Sequence, residues 1–202
     1  MSTAALEHVE RLRRALDDLA GQAAAVSAWG RELAEILGGG GRLLVAGNGG
    51  SAAHAQHLTG ELVGRYRDER RPLSAIALHA ETTSLTAIVN DYGADEAFAR
   101  QALAHGRPGD VLLLVSTSGR SPNLLRAADA GREAGLRVWG LTGPSPNPLA
   151  ARCEQSVCVD AGTTATIQEV HQVVVHLVCD AVDSALAAPR RRHMRLVGGT
   201  GG

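Results

Sequence analysis

The chain has 202 residues, 45% of them hydrophobic, and a formal net charge of -1. That length and apolar share fit one globular domain with a full core and leave little for a second. With 20 Lys and Arg against 21 Asp and Glu, no global field draws the protein to nucleic acid or to an anionic membrane, so anion binding must be local and the partner small.

The N-terminus, MSTAALEHVERLRR, is polar and lacks an apolar signal core. No apolar run approaches the roughly 20 residues that cross a bilayer. Cys153, Cys158 and Cys179 are an odd number without CxxC spacing. Together these features read as a reduced, cytoplasmic protein with no membrane segment. Aromatic residues make up only 2%, so Ala, Val and Leu must fill the core. Such small side chains suit helices lying closely on a parallel sheet.

In chain order, residues 1–40 form an N-terminal helical region. Leu6, Val9, Leu12, Leu16 and Leu19, then Leu33, Ile36 and Leu37, recur at helical spacing until Gly38-Gly39-Gly40-Gly41 ends the run. A break near Gly21, or at Trp29-Gly30, divides it. Five short apolar runs follow as strands at 42–46, 75–78, 111–115, 137–141 and 156–159. Helical stretches at 52–67, 83–90, 96–105 and 122–134 separate them, and a long C-terminal helix covers about 164–186. The alternation predicts an α/β domain over residues 1–189 with a five-stranded parallel sheet in the flavodoxin-like, doubly wound order 2-1-3-4-5. Residues 190–202, with a short basic run and terminal glycines, read as a disordered tail.

In that order the carboxyl ends of strands 1 and 3 flank the switch point where ligands bind. The loop after strand 1 is Gly47-Asn48-Gly49-Gly50-Ser51, and the loop after strand 3 is Ser116-Thr117-Ser118-Gly119-Arg120-Ser121. Glycines in the first let the backbone approach a ligand, and Ser51 can cap the next helix, whose amides favour an anion. A structural turn is the alternative. Four hydroxyls in the second suit one phosphate, against the plainer reading that they cap the helix opened by Pro122. Gly47, Gly49 and Ala52 also meet the relaxed dinucleotide fingerprint. Its acid would be Glu81, which stands farther along than that pattern prefers and leaves the hydroxyl-rich loop without a role.

His57 and Glu61 lie four apart on one face of the helix after the first loop. Gln168, Gln172, His176 and Asp180 form a polar stripe at four-residue steps on the otherwise apolar last helix. Imidazole, carboxylate and amide oxygen suit zinc or a similar ion; a stripe of solvated or hydrogen-bonded groups is the alternative. Gln168 and His176 are separated by roughly 12 Å of helix rise. A single ion would therefore sit over the turn near Gln172, or the site is shared between subunits of a symmetric oligomer, which is the favoured reading.

Several motifs together resemble the sugar isomerase (SIS) domain family, and within it the phosphoheptose isomerases. They are Gly47 to Ser51; Ala55-Gln56-His57 with Glu61 and Gly64-Arg65-Tyr66; Leu85-Thr86-Ala87 with Asn90-Asp91-Tyr92; Asp110 to Leu113 leading into Ser116 to Asn123; and Ile167-Gln168-Glu169-Val170-His171 with His176. The resemblance implies an aldose–ketose isomerase that interconverts sedoheptulose 7-phosphate and D-glycero-D-manno-heptose 7-phosphate through an enediol. It implies a homotetramer with intersubunit active sites and Zn2+ on His57, Glu61, Gln168 and His176. Asn48, Gly49, Gly50, Asn90 and Asp91 would contact the sugar, with Glu61 and Gln168. Ser116, Thr117, Ser118 and Ser121 would hold the phosphate. Glu61 would serve as base and His176 as the proton-exchanging partner.

Two positions depart from the family. Ala165 and Thr166 stand where many relatives carry Asp and Arg, which bears on which phosphosugar is used. His54 stands where relatives more often show Asp or Asn, and reads as an exposed helix position or a support for the metal ligands. His171, off the stripe, reads as packing or interface. The alternative functions are a non-catalytic SIS-domain regulator that binds the bacterial replication initiator, disfavoured because Glu61 and His176 are both present, and an isomerase of another phosphosugar.

Overall fold

The computed structural model describes residues 3–188. Two helices, α1 (Thr3–Ala20) and α2 (Ala23–Gly38), precede β1 (Leu43–Gly47) and α3 (Gly50–Val63). Next come β2 (Ala75–Ala77), α4 (Thr82–Tyr92), α5 (Ala99–His105), β3 (Val111–Ser116), α6 (Pro122–Glu133), β4 (Arg137–Thr142), β5 (Gln155–Cys158) and α7 (Thr164–Ala187). The chain turns between α1 and α2 at Gly21. Gly30 instead lies inside α2, where a Cβ would stand 2.3 Å from the Cβ of Ala181 on α7. The second expected break is thus a glycine that lets two helices approach closely.

The five strands are parallel in the order β2-β1-β3-β4-β5, as the alternation of elements requires. Successive strand residues point to opposite faces, and the core divides accordingly. Leu43, Val45, Leu113, Val115, Trp139 and Leu141 face the layer that includes α2, α3 and α7. Leu44, Ala46, Leu112, Leu114 and Val138 face the layer that includes α5 and α6. With so few aromatic rings, Trp29 and Trp139 stack on each other at 5.1 Å and anchor the first layer. The expected tail, residues 190–202, lies outside the described residues.

By length and composition alone, α7 could cross a membrane, contrary to the expectation that no run comes near that limit. Its packing gives another reason for the apolar character. Ile167, Val170, Val174, Val175, Val178 and Val182 are buried, and α7 lies against α1, α2 and α3. The run escaped notice as sequence because Gln168, Gln172, His176 and Asp180 interrupt it.

His171 is fully buried within this core, and its Nε2 donates to the carbonyl of Thr142 at 3.0 Å. Burial pushes its pKa down to about 4. The unfolded chain restores an ordinary imidazole near 6.5, so between these values the unfolded state binds the extra proton. The stability from keeping His171 neutral is complete above about pH 6.5 and drains away as pH falls toward 4. Urea midpoints should therefore be lower at pH 5 than at pH 7.5. His171→Gln, whose amide can donate to the same carbonyl, should flatten that difference, and an unflattened slope would remove His171 from the account.

Candidate active site

The parallel register sets Gly47 of β1 opposite Val115 of β3, so the two loops leave the sheet side by side. They are tied together by Asn48 and Asn123, whose amides exchange two hydrogen bonds of 3.0 Å each. Asn123, on the first turn of α6, belongs to the sequence motif but was not among the expected site residues. It fixes Asn48 at the crevice.

The first loop closes onto α3 through Gly49, whose φ of +56° suits glycine. Ser51 was expected to cap the helix, but the cap position is Gly49 with no side-chain cap bond, and Ser51 is buried in the first turn. Its place is steric: a Cβ at Gly47 would lie 2.6 Å from the Ser51 carbonyl oxygen. Gly50 faces Gln168, since a Cβ there would stand 2.4 Å from Gln168 Nε2. The first loop and the last helix thus meet at Gly50.

In the second loop, Ser116 Oγ accepts from the Gly119 amide at 3.1 Å and Ser118 Oγ accepts from the Arg120 amide at 3.2 Å. Both hydroxyls act as acceptors within the turn, which leaves their O–H groups free to donate to a ligand oxygen. Ser121 is the N-cap residue of α6, yet its side chain makes no cap bond. Its carbonyl accepts from Leu124 and Leu125 instead, so the hydroxyl is not consumed by the helix. Capping therefore does not account for these hydroxyls, as the plainer reading of the sequence would have it.

Glu81, the acid that a dinucleotide site would need, is occupied elsewhere. It caps α4 by accepting from the amides of Thr83 and Ser84, at 3.1 and 2.5 Å. Those bonds hold its carboxyl below the ordinary carboxylate range.

The metal-type donors converge within one chain. His57 Nε2 lies 3.2 Å from Glu61 Oε1 and 3.2 Å from His176 Nε2. The donor atoms of His57, Glu61 and His176 all fall within 4.8 Å of one another. Two imidazole nitrogens and a carboxylate oxygen facing one point form a donor set that fits zinc. A shared site is thus unnecessary for these three. Arg70 supports the cluster from behind: its guanidinium donates to the Glu61 and Leu62 carbonyls and to Asp183 at 2.7 Å, in a nearly buried pair. Removing one partner of such a pair costs about 3–5 kcal/mol.

The polar stripe on α7 is divided. Gln168 is at Gly50, and Asp180 pairs with Arg67 at 2.7 Å. Gln172 Nε2 lies 3.1 Å from His176 Nε2, and its Oε1 lies 2.9 Å from His54 Nδ1. His54 is therefore not the exposed position that its place on the helix suggested. Its Nε2 is buried, as is Nδ1 of His171, and neither has a partner among the described residues. Asn90 and Asp91 stay apart from this assembly. Asn90 donates to Asp91 at 2.7 Å, and both are exposed on α4, a helix with no buried residue. Thr166 is fully buried with its hydroxyl 2.9 Å from that of Thr163, and Ala165 carries no polar group, so neither position offers a charge.

Paired loops at a switch point, with a His/Glu/His cluster on the helix after the first, have the form of a sugar isomerase domain, and the family model for the SIS domain matches residues 7–143. The phosphoheptose isomerase of Streptomyces coelicolor is 64% identical over 179 residues, covering 89% of this chain and 78% of that protein. A phosphoheptose isomerase structure from Francisella tularensis superposes with a TM-score of 0.85 at 34% identity, covering 91% of this chain and all of that one. The corresponding Neisseria gonorrhoeae structure gives 0.82 at 38% identity, over 90% of this chain and 97% of its own. The chain belongs to the phosphoheptose isomerase family of SIS domains.

Proposed function

We propose that the chain is a zinc-dependent phosphoheptose isomerase that interconverts sedoheptulose 7-phosphate and D-glycero-D-manno-heptose 7-phosphate through an enediol. The observation that carries this reading is the convergence of Glu61, His57 and His176 beside two loops that present free hydroxyls and backbone at one crevice. Its placement in the cytoplasm is supported by three cysteines that are all free thiols. The segment from residue 1 to 189 is read as one SIS domain.

The ketose carries its carbonyl on C2, and the aldose carries it on C1. Glu61 takes a proton from C1, the electrons of that bond form the enediol, and the proton returns to C2. His176 passes a proton between O1 and O2 as the carbonyl changes place. When bound on His57, Glu61, His176 and a glutamine of α7, where the resemblance puts Gln168, zinc would polarise the substrate carbonyl. Ser116, Thr117, Ser118 and Ser121 hold the phosphate at the far end of the chain. Asn48, fixed by Asn123, works with Gly49 and Gly50 to orient the hydroxyls. Because Ala165 and Thr166 carry no charge, neither supplies an ionic contact to the substrate.

A homotetramer with active sites between subunits is supported by α4. This helix carries Asn90 and Asp91, buries none of its residues and exposes Val89 and Tyr92. A second subunit covering α4 would shelter those side chains and bring two sugar contacts to a neighbouring crevice.

Incubating the protein with sedoheptulose 7-phosphate, with and without zinc, should show aldose formation that depends on the metal; no conversion after zinc is restored would overturn the reaction. Ser118→Ala should raise KM several-fold with little change in kcat, since it removes one donor to the phosphate. An unchanged KM would assign that hydroxyl to the turn alone.

A further inference from the structure

We infer that Asn147 is a positioning residue for phosphate binding, acting through Gly119 to hold the second loop in the shape that directs its hydroxyls. The inference rests on the reading of Ser116 to Ser121 as the phosphate cradle and names the side chain that braces it. Asparagine is costly to bury without partners, and Asn147 is only 7% exposed. It lies between β4 and β5, and both ends of its amide are engaged there. Nδ2 donates to the Thr142 hydroxyl and to the Pro144 carbonyl, each at 3.1 Å, and Oδ1 accepts from the Ala150 amide at 2.9 Å. These partners fix which way the amide faces, because a carbonyl only accepts and a backbone N–H only donates. One side chain thereby ties the end of β4 to the short helical turn Ala150–Arg152.

The second loop rests on this brace at Gly119. A Cβ there would stand 2.1 Å from Asn147 Oδ1 and 2.4 Å from its Cγ, so the glycine backbone lies directly against the amide. The Gly119 carbonyl accepts from the Leu149 amide at 3.0 Å, and the Gly119 amide donates to Ser116 Oγ at 3.1 Å. Gly119 is therefore held on three sides, and two of the three holds come from residues 147–149. Its neighbours carry the cradle, since the Arg120 amide donates to Ser118 Oγ at 3.2 Å. Any shift of Gly119 turns the Ser116 and Ser118 hydroxyls together. An apolar side chain at 147 would leave the Ala150 amide and the Pro144 carbonyl without their partner, and an unpaired buried polar group costs about 1–3 kcal/mol. The stretch would rearrange and Gly119 would lose its floor.

Asp110 supplies the comparison. It is buried to the same degree, at 5% exposed, and it too binds backbone, accepting from the Arg42 and Arg107 amides at 2.9 and 3.0 Å. Those contacts lie at the amino ends of β1 and β3, opposite the crevice. A loss at Asp110 is a loss of stability alone, whereas a loss at Asn147 reaches the phosphate.

Steady-state kinetics with sedoheptulose 7-phosphate, joined to competition by inorganic phosphate, test the assignment. Asn147→Ser keeps an oxygen that can accept from the Ala150 amide, a capping role serine serves well, and removes the group beneath Gly119. KM and the phosphate inhibition constant should both rise about tenfold or more, since misplacing a positioned contact by about 1 Å can cost about 10²-fold. By contrast kcat should stay within about twofold. Asp110→Ala should lower the melting temperature and leave both constants unchanged. The wild type gives a reading that needs no variant: inorganic phosphate should slow amide hydrogen exchange at Leu149 and Ala150 as well as at Gly119, because the coupling between the loop and its brace is reciprocal. A folded Asn147→Ser with wild-type KM and inhibition constant would overturn the proposal, as would protection by phosphate confined to residues 116–121. A wild type that turns over while ignoring inorganic phosphate, with a KM indifferent to Ser118→Ala, would overturn the cradle reading and the proposal with it.

Discussion

Glu61→Gln should lower kcat by about 10²- to 10⁴-fold, the contribution of a positioned general base, with the thermal midpoint close to that of the wild type. The substitution preserves shape while it removes the carboxylate's charge and its capacity to take a proton. Glu61 sits in the last turn of α3, where its own carbonyl is held by Arg70 at 2.7 Å, so the backbone stays fixed whichever side chain is present. The side chain is 24% exposed and borders His57, so an amide fits where the carboxylate was. Because Glu61 is also a donor in the metal cluster, turnover must be measured with zinc in excess and metal content determined on the same sample. A variant that is loaded with metal, folded and still inactive assigns the base. Deuterium exchange at C1 in heavy water supplies a second reading, since loss of the base abolishes exchange along with turnover. Retained exchange in the loaded variant would transfer the role to another group.

The layout of the fold was legible because each strand is a short apolar run followed by a polar, glycine-bearing turn, and a parallel order follows from alternation with helices. Gly47 and Ser116 end their strands as the two loops demand. Residues joined by local spacing, such as His57 with Glu61, were equally legible, because four residues on a helix always share a face. What escaped the sequence were contacts made across large separations. Arg70 and Asp183 are 113 residues apart, and neither stands in a motif that announces its partner. His54 and Gln172 likewise lie on different helices, and helical periodicity alone cannot tell an exposed face from one covered by α7. Ser51 misled for a local reason: a serine near a helix start usually caps it, but Gly49 had already taken the cap position with a positive φ.

Gly143→Ala should cost about 1–3 kcal/mol of stability, the usual range for overpacking, and should also raise KM for the phosphosugar by an order of magnitude or more. Gly143 follows β4, donates its amide to the Ser116 carbonyl at 3.1 Å and is buried under the second loop. A Cβ at this position would lie 1.9 Å from the carbonyl oxygen of Thr117. That atom belongs to the backbone, so no side chain can swing aside. Relief has to come from displacing Thr117, and with it the hydroxyls of Ser116 and Ser118 whose turn-forming bonds set the direction of their protons. Stability and substrate binding should therefore fall together, with kcat much less affected because the proposed acid–base groups, Glu61 and His176, lie on α3 and α7. Gly60→Ala is the matched control. Gly60 lies within α3, nothing stands within 4 Å of its added Cβ, and a glycine in a helix interior costs about 0.5–1 kcal/mol relative to alanine. That variant should gain stability and leave KM unchanged. If Gly143→Ala instead melts and binds like the wild type, the second loop is supple enough to absorb an 1.9 Å conflict, and its hydroxyls do not owe their direction to the contact beneath them.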